Sequence, residues 1–162
     1  MSIAFALAAA LAVQAPPPGA GFMTFSASPA RRPVTTEVQV GILRGAPRPE
    51  DRHYWFRAVR RDASRPERRL STDTLACPAA HAVFRTLGEM EMPSLSPRPD
   101  DPIVVTADGT SYRMTAPAYW PHGFGGTVTL ESNVDTGLAR WVAAMLGALE
   151  PCWHDEAAPA RR

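Results

Sequence analysis

Asp135-Thr136-Gly137-Leu138-Ala139-Arg140-Trp141-Val142-Ala143-Ala144-Met145-Leu146-Gly147-Ala148-Leu149-Glu150-Pro151 is the stretch that decides the fold. Leu138, Trp141, Val142, Met145, Leu146 and Leu149 recur at helical spacing and make one continuous apolar stripe. Asp135 is the expected N-cap, Arg140 falls on the opposite side, and Pro151 disfavours helical geometry at Glu150. Such a helix is marginal alone in water. Burying its six large apolar side chains yields roughly 9 to 18 kcal/mol gross, an upper bound. It therefore needs a sheet to lie on.

The strands to supply that sheet are read by alternation. From Thr35 to Arg44, Val38, Val40 and Ile42 share one face, with Glu37, Gln39 and Gly41 on the other. From His53 to Arg61, Tyr54, Phe56 and Ala58 oppose His53, Trp55, Arg57 and Val59, which predicts a second strand pairing back on the first. Phe22 to Ser28 can add a strand at the front, with Met23 and Phe25 on one side. Asp62 to Leu70, charged and carrying Pro66, reads as a solvated excursion. Asp108-Gly109 signals a type I′ turn, so Ile103 to Ala116 is expected to be a hairpin. That register sets Val105 opposite Tyr112 and Ile103 opposite Met114 on the buried side. After a loop from Pro117 to Gly126, Thr127 to Glu131 alternates again with Val128 and Leu130 inward.

A second helix is expected from Pro78, with Cys77 as cap, a stripe of Ala80, Val83, Phe84 and Leu87, and an end at Gly88. The expected fold is α+β: an antiparallel sheet of about five strands with two helices on one face, in the order β-β-α-β-β-β-α. Cys77 and Cys152 would then join the start of one helix to the end of the other, which an antiparallel helix pair brings together.

The amino terminus sets the compartment. Ile3 to Val13 is an eleven-residue apolar run, followed by Ala15 and the string Pro16, Pro17, Pro18, Gly19. That is the length of a signal-peptide core and too short for a bilayer span. Residues 1–15 are therefore expected to be an export signal, with an uncleaved anchor as the alternative. Residues 16–21 read as a linker, 22–156 as one domain and 157–162 as a tail. Two cysteines in an exported chain read as one disulfide, and the location as periplasmic or secreted, with no membrane span in the mature chain.

All 17 basic side chains are arginine, which excludes Schiff-base, Walker-lysine and Ser-Lys chemistry. Nine arginines against four acids lie between Arg44 and Arg69, whereas Leu70 to Ala160 holds four arginines against eleven acids. The simplest reading is that the two halves pack and neutralise each other. The basic stretch also holds Tyr54, Trp55 and Phe56, a mixture found in nucleic-acid binders. Export and near-neutral net charge argue against a nucleic-acid partner, so none is expected.

Catalytic signatures are lacking: no GxSxG elbow, HExxH, P-loop or EF-hand loop occurs. Cys77, His81, Cys152 and His154 have the ligand types of a Cys2His2 zinc site, but an oxidising compartment favours the disulfide, and no metal or cofactor is expected. Cys77 as a nucleophile with His81 as base would need Cys152 unpaired. His53 reads as a surface strand residue. The candidate binding residues are Tyr119, Trp120, His122 and Phe124 in a glycine- and proline-rich loop. Against that stands burial of Trp120 and Phe124 over the open end of the core. The expected function is a non-enzymatic binding or interaction module with an envelope partner or ligand. The alternative is a hydrolase or metal-dependent enzyme using the Cys/His set.

Overall fold

Val38 and Val40 alternate with the exposed Glu37 and Gln39, and across the ladder Val38 faces Ala58 while Val40 faces Phe56. All four apolar residues are buried, so two short stretches of period-two sequence already define the core face of a sheet. The computed structural model describes residues 21–31, 34–43, 52–93, 109–119 and 125–156. In chain order its elements are β1 (Met23–Pro29), β2 (Val34–Ile42), β3 (Tyr54–Asp62), β4 (Arg65–Asp73) and α1 (Pro78–Arg85). They continue with β5 (Thr110–Tyr119), β6 (Gly125–Ser132), α2 (Gly137–Leu149) and β7 (His154–Asp155). Short 3-10 turns at Thr86–Glu89 and Glu150–Cys152 follow the two helices.

The architecture is α+β, with one antiparallel seven-stranded sheet in the order β6-β5-β1-β2-β3-β4-β7. Both helices pack on one face, where Leu138, Trp141, Val142, Met145 and Leu149 of α2 and Ala80 and Phe84 of α1 join the strand residues in one cluster. The Phe25 and Trp141 rings meet edge-on at 5.4 Å, and the Phe84 ring lies 6.2 Å from that of Trp141. Among the described residues the opposite face carries no helix. There Trp55, only 1% exposed, lies across from Gly41, and a Cβ at Gly41 would fall inside its indole. Glycine is thus required at position 41 for this ring to lie flat on the sheet.

Strand count and order depart from expectation in three places. Asp62 to Leu70 is not an excursion: a turn at Ala63 and Ser64 leads into β4, which pairs along β3. Ser64 donates both its backbone N–H and its hydroxyl to Asp62 Oδ1, closing that turn, and these bonds hold the Asp62 carboxyl below its usual value. Pro66 is tolerated because the register shifts between Arg60 and Asp62, where a missing donor breaks no ladder bond. The hairpin from Ile103 to Ala116 is also overturned. Tyr112, Arg113, Met114 and Thr115 already pair with β1 on one side and β6 on the other, and a strand has only two edges. Ile103 to Thr106 themselves lie outside the described residues. Finally, β7 adds two residues at the far edge, where Leu70 faces Asp155 and Ser71 faces His154.

The helix termini refine the sequence reading. Thr136, not Asp135, caps α2, its hydroxyl accepting from Ala139 N–H at 3.0 Å. Asp135 instead takes the left-handed conformation, φ 66°, that turns the chain into the helix. Cys77 caps α1 and Pro78 opens it. The helices run antiparallel: the Cys77 end of α1 meets the Ala148 end of α2, and Phe84 meets Trp141. Cys77 and Cys152 are joined by a disulfide with Cα atoms 5.8 Å apart. Residues 1–15, expected as an export signal, residues 16–20 of the expected linker 16–21, and the expected tail 157–162 lie outside the described residues. Among those described, no helix is long and apolar enough to cross a membrane.

The bond closes a loop of 75 residues, for which the chain-entropy relation gives up to about 4.5 kcal/mol. Replacing both cysteines by serine is expected to lower denaturant stability by about 2 to 4.5 kcal/mol. Urea unfolding of the oxidised and variant proteins measures the difference.

Candidate functional site

The aromatic loop is shorter and more sharply placed than its sequence suggests. Pro117, Ala118 and Tyr119 continue β5, and Gly125 and Gly126 already belong to β6, with Pro117 facing Thr127 and Tyr119 facing Gly125. The connection is therefore five residues, 120–124, at the tip of the β5–β6 hairpin. Tyr119 is its last strand residue. Trp120, His122 and Phe124 lie outside the described residues.

This hairpin forms the rim of the sheet. Among the described residues no strand pairs with the outer side of β6. Its eight residues, Gly125–Ser132, contain no proline and one charged residue, Glu131, which pairs with Arg113 on β5 at 2.7 Å. Edge strands normally carry charges, bulges or prolines that prevent further pairing, and this one carries few of them. At the Ser132 end of β6 a groove of about 390 Å³ opens, bounded by Met90, Met92, Pro93, Leu130 and Leu138. Gly137 and Glu91 also line it and lie against each other, so that a Cβ at position 137 would come within 2.7 Å of the Glu91 carbonyl oxygen. Tip and groove stand at opposite ends of one strand.

The helix-free face is polar and internally neutralised. Arg57 meets Glu156 at 3.1 Å, Arg61 meets Glu37 and Glu67 at 3.2 Å each, and Arg69 meets Glu67 at 3.2 Å. On the other side of the sheet, in line with Ala58 and Leu70, Arg68 grips Asp155 at 2.9 Å, and Arg60 makes a two-pronged contact with Glu150 at the end of α2. Arg57, Arg60 and Arg68 thus take their partners from the acidic half of the chain, as the lopsided charge distribution implied. Arg57 also stacks over the Trp55 ring at 5.3 Å. A shallow depression of about 350 Å³ between Glu37, Arg57, Arg61 and Glu156 is lined by these pairs rather than by a single sign of charge.

The Cys/His set is rearranged. Both thiols are consumed by the disulfide, so neither serves as nucleophile or thiolate ligand. His154 lies exposed on β7. His81, on α1, stands beside His53 instead, with ring centroids 5.5 Å apart. His53 Nδ1 is 3.0 Å from Thr74 Oγ1, which also accepts the Tyr54 backbone N–H at 3.0 Å. Burial, then the neighbouring His53 and Arg85, push His81 below the usual histidine value, so its imidazole is neutral at neutral pH. Sequence reasoning missed this pairing because His53 and His81 belong to different elements and no local spacing links them. Among the described residues no three His, Cys, Asp or Glu side chains cluster as metal ligands.

The chain matches no known family model, and neither a curated protein nor a solved structure matches it significantly.

Arg60 holds the Glu150 carboxyl below its ordinary range, chiefly through their hydrogen bond. A lowered folded pKa gives stability that is present above the unfolded value and lost as pH falls through the folded one. Arg60→Ala is expected to cost about 0.5 kcal/mol at neutral pH, within the range of exposed pairs, since the Glu150 side chain is 60% exposed. The difference from the parent should vanish as pH falls from about 4.5 through the lowered Glu150 value. Denaturation curves of both proteins between neutral and acid pH check this.

Proposed function

We propose that this chain is an exported, non-catalytic binding module, periplasmic or secreted, which takes hold of an envelope partner or ligand through the β5–β6 end of its sheet. The single observation that carries the reading is the position of that hairpin. Its strands β5 and β6 stand at the rim of the sheet, and no described strand occupies the outer edge of β6, which supports a role for the aromatic stretch that joins them in sequence. An extended segment laid against β6 would gain main-chain hydrogen bonds along Gly125–Ser132. Tyr119, Trp120, His122 and Phe124 would then grip it at one end, and the Met90–Leu138 groove would take a side chain at the other.

Three further features support the reading. The disulfide suits an oxidising compartment, and the apolar run Ile3 to Val13 has the length of an export signal. The arginine-rich strands find their counter-charges within the domain, which leaves them poorly suited to a polyanion and favours an uncharged or mixed partner.

The test uses a photo-crosslinking residue in place of Thr129, on the outer strand. Crosslinking to a defined partner in the exported fraction is expected, and Trp120→Ala should abolish it while changing stability by less than about 1 kcal/mol. A Trp120→Ala protein that unfolds would assign the tip to the core and overturn the proposal. Undiminished capture by that variant would overturn the role of the tip.

A further inference from the structure

His53, just before β3, and His81, on the second turn of α1, present two half-buried imidazoles at the margin between sheet and helix. The geometry points to a two-histidine site for a borderline divalent cation, Zn2+ or Cu2+, with water completing the shell. An imidazole nitrogen binds such an ion at about 2.0 to 2.1 Å, which puts the ion about 3.2 Å from the ring centroid. Two rings on one tetrahedral ion then have centroids about 5.2 Å apart, and two opposed rings about 6.4 Å. The observed 5.5 Å lies between these limits, with the rings inclined at 48°.

The surroundings act as supports for such ligands. Thr74 is 3% exposed and engages Nδ1 of His53, leaving Nε2 as the nitrogen free to coordinate. Because Thr74 Oγ1 also accepts the Tyr54 N–H, the orientation of the His53 ring is tied to the β3 backbone. His81 is held on a helix whose first residue follows the disulfide, and the Tyr54 ring stands 6.4 Å from it. Imidazole nitrogens suit Zn2+ or Cu2+ and are poor ligands for Ca2+ or Mg2+. With no third described ligand, and with Arg85 contributing positive charge, the site holds an exchangeable ion with open positions rather than a structural one.

Calorimetric titration of the full oxidised chain with CuCl2, ZnCl2 and MgCl2, together with electron paramagnetic resonance of the Cu2+ form, tests the assignment. Saturation at one equivalent by Cu2+, weaker saturation by Zn2+ and no heat with Mg2+ are expected. The Cu2+ spectrum should show nitrogen coupling. His53→Ala and His81→Ala should each weaken binding by about tenfold or more, while His154→Ala on the exposed β7 leaves it unchanged. Circular dichroism of each variant, with His81→Gln as a milder replacement, separates loss of a ligand from loss of fold. Absence of saturable binding by the parent, or binding that survives replacement of both His53 and His81 in folded protein, overturns the proposal.

Discussion

The chain leaves one edge of its sheet after β4, adds β5 and β6 at the other edge and returns beside β4 as β7, and the Cys77–Cys152 bond ties the departure to the return. Between them α1 and α2 lie on the helix-bearing face, while β5 and β6 extend the sheet beyond β1. α1 opens the passage from β4 to the far side of β1, and α2 leads from the opposite rim back to β7. A two-residue strand has little stability of its own. Around it, Arg68 to Asp155 and Arg57 to Glu156 are partly or largely exposed pairs, each contributing about 1 kcal/mol or less. Closing a 75-residue loop outweighs any one of them several-fold. The covalent link is thus the main constraint on that edge, and the ion pairs align what it has already brought near.

The helix pair follows from the same constraint. With the start of α1 fixed beside the end of α2, the antiparallel arrangement places Phe84 against Trp141, and both rings reach the sheet at Phe56 and Phe25. One face of the sheet is therefore dry. The other holds the buried Trp55, which lies over Gly41 and under Arg57, beside Val59 and the paired arginine and glutamate side chains.

Local periodicity made much of this legible. The stripe of α2, the alternation of β1, β2 and β3, and the Cys77-Pro78 start of α1 each report burial of one face, and burial is what period measures. The failures have a common cause. Alternation tells which face a strand presents but not which strands flank it, so Tyr112 and Met114 were assigned a neighbour in Ile103–Val105 when β1 and β6 already occupied both edges. In β4 only Leu70 and Thr72 turn inward, and its arginines mask that two-residue signal. Of the aromatic loop, sequence gave the residues but not the strands enclosing them. The His53–His81 contact bridges 28 positions between different elements, and only the packing of α1 on β3 creates it.

The closing residues come after everything they close. Cys152 and β7 complete an edge begun by β4 much earlier in the chain, so a chain emerging amino end first has no means of sealing that edge until β7 has emerged. Until then β4 waits with one flank bare and α1 has no partner helix. Such a molecule stays pliable through synthesis and becomes rigid only when its last strand docks.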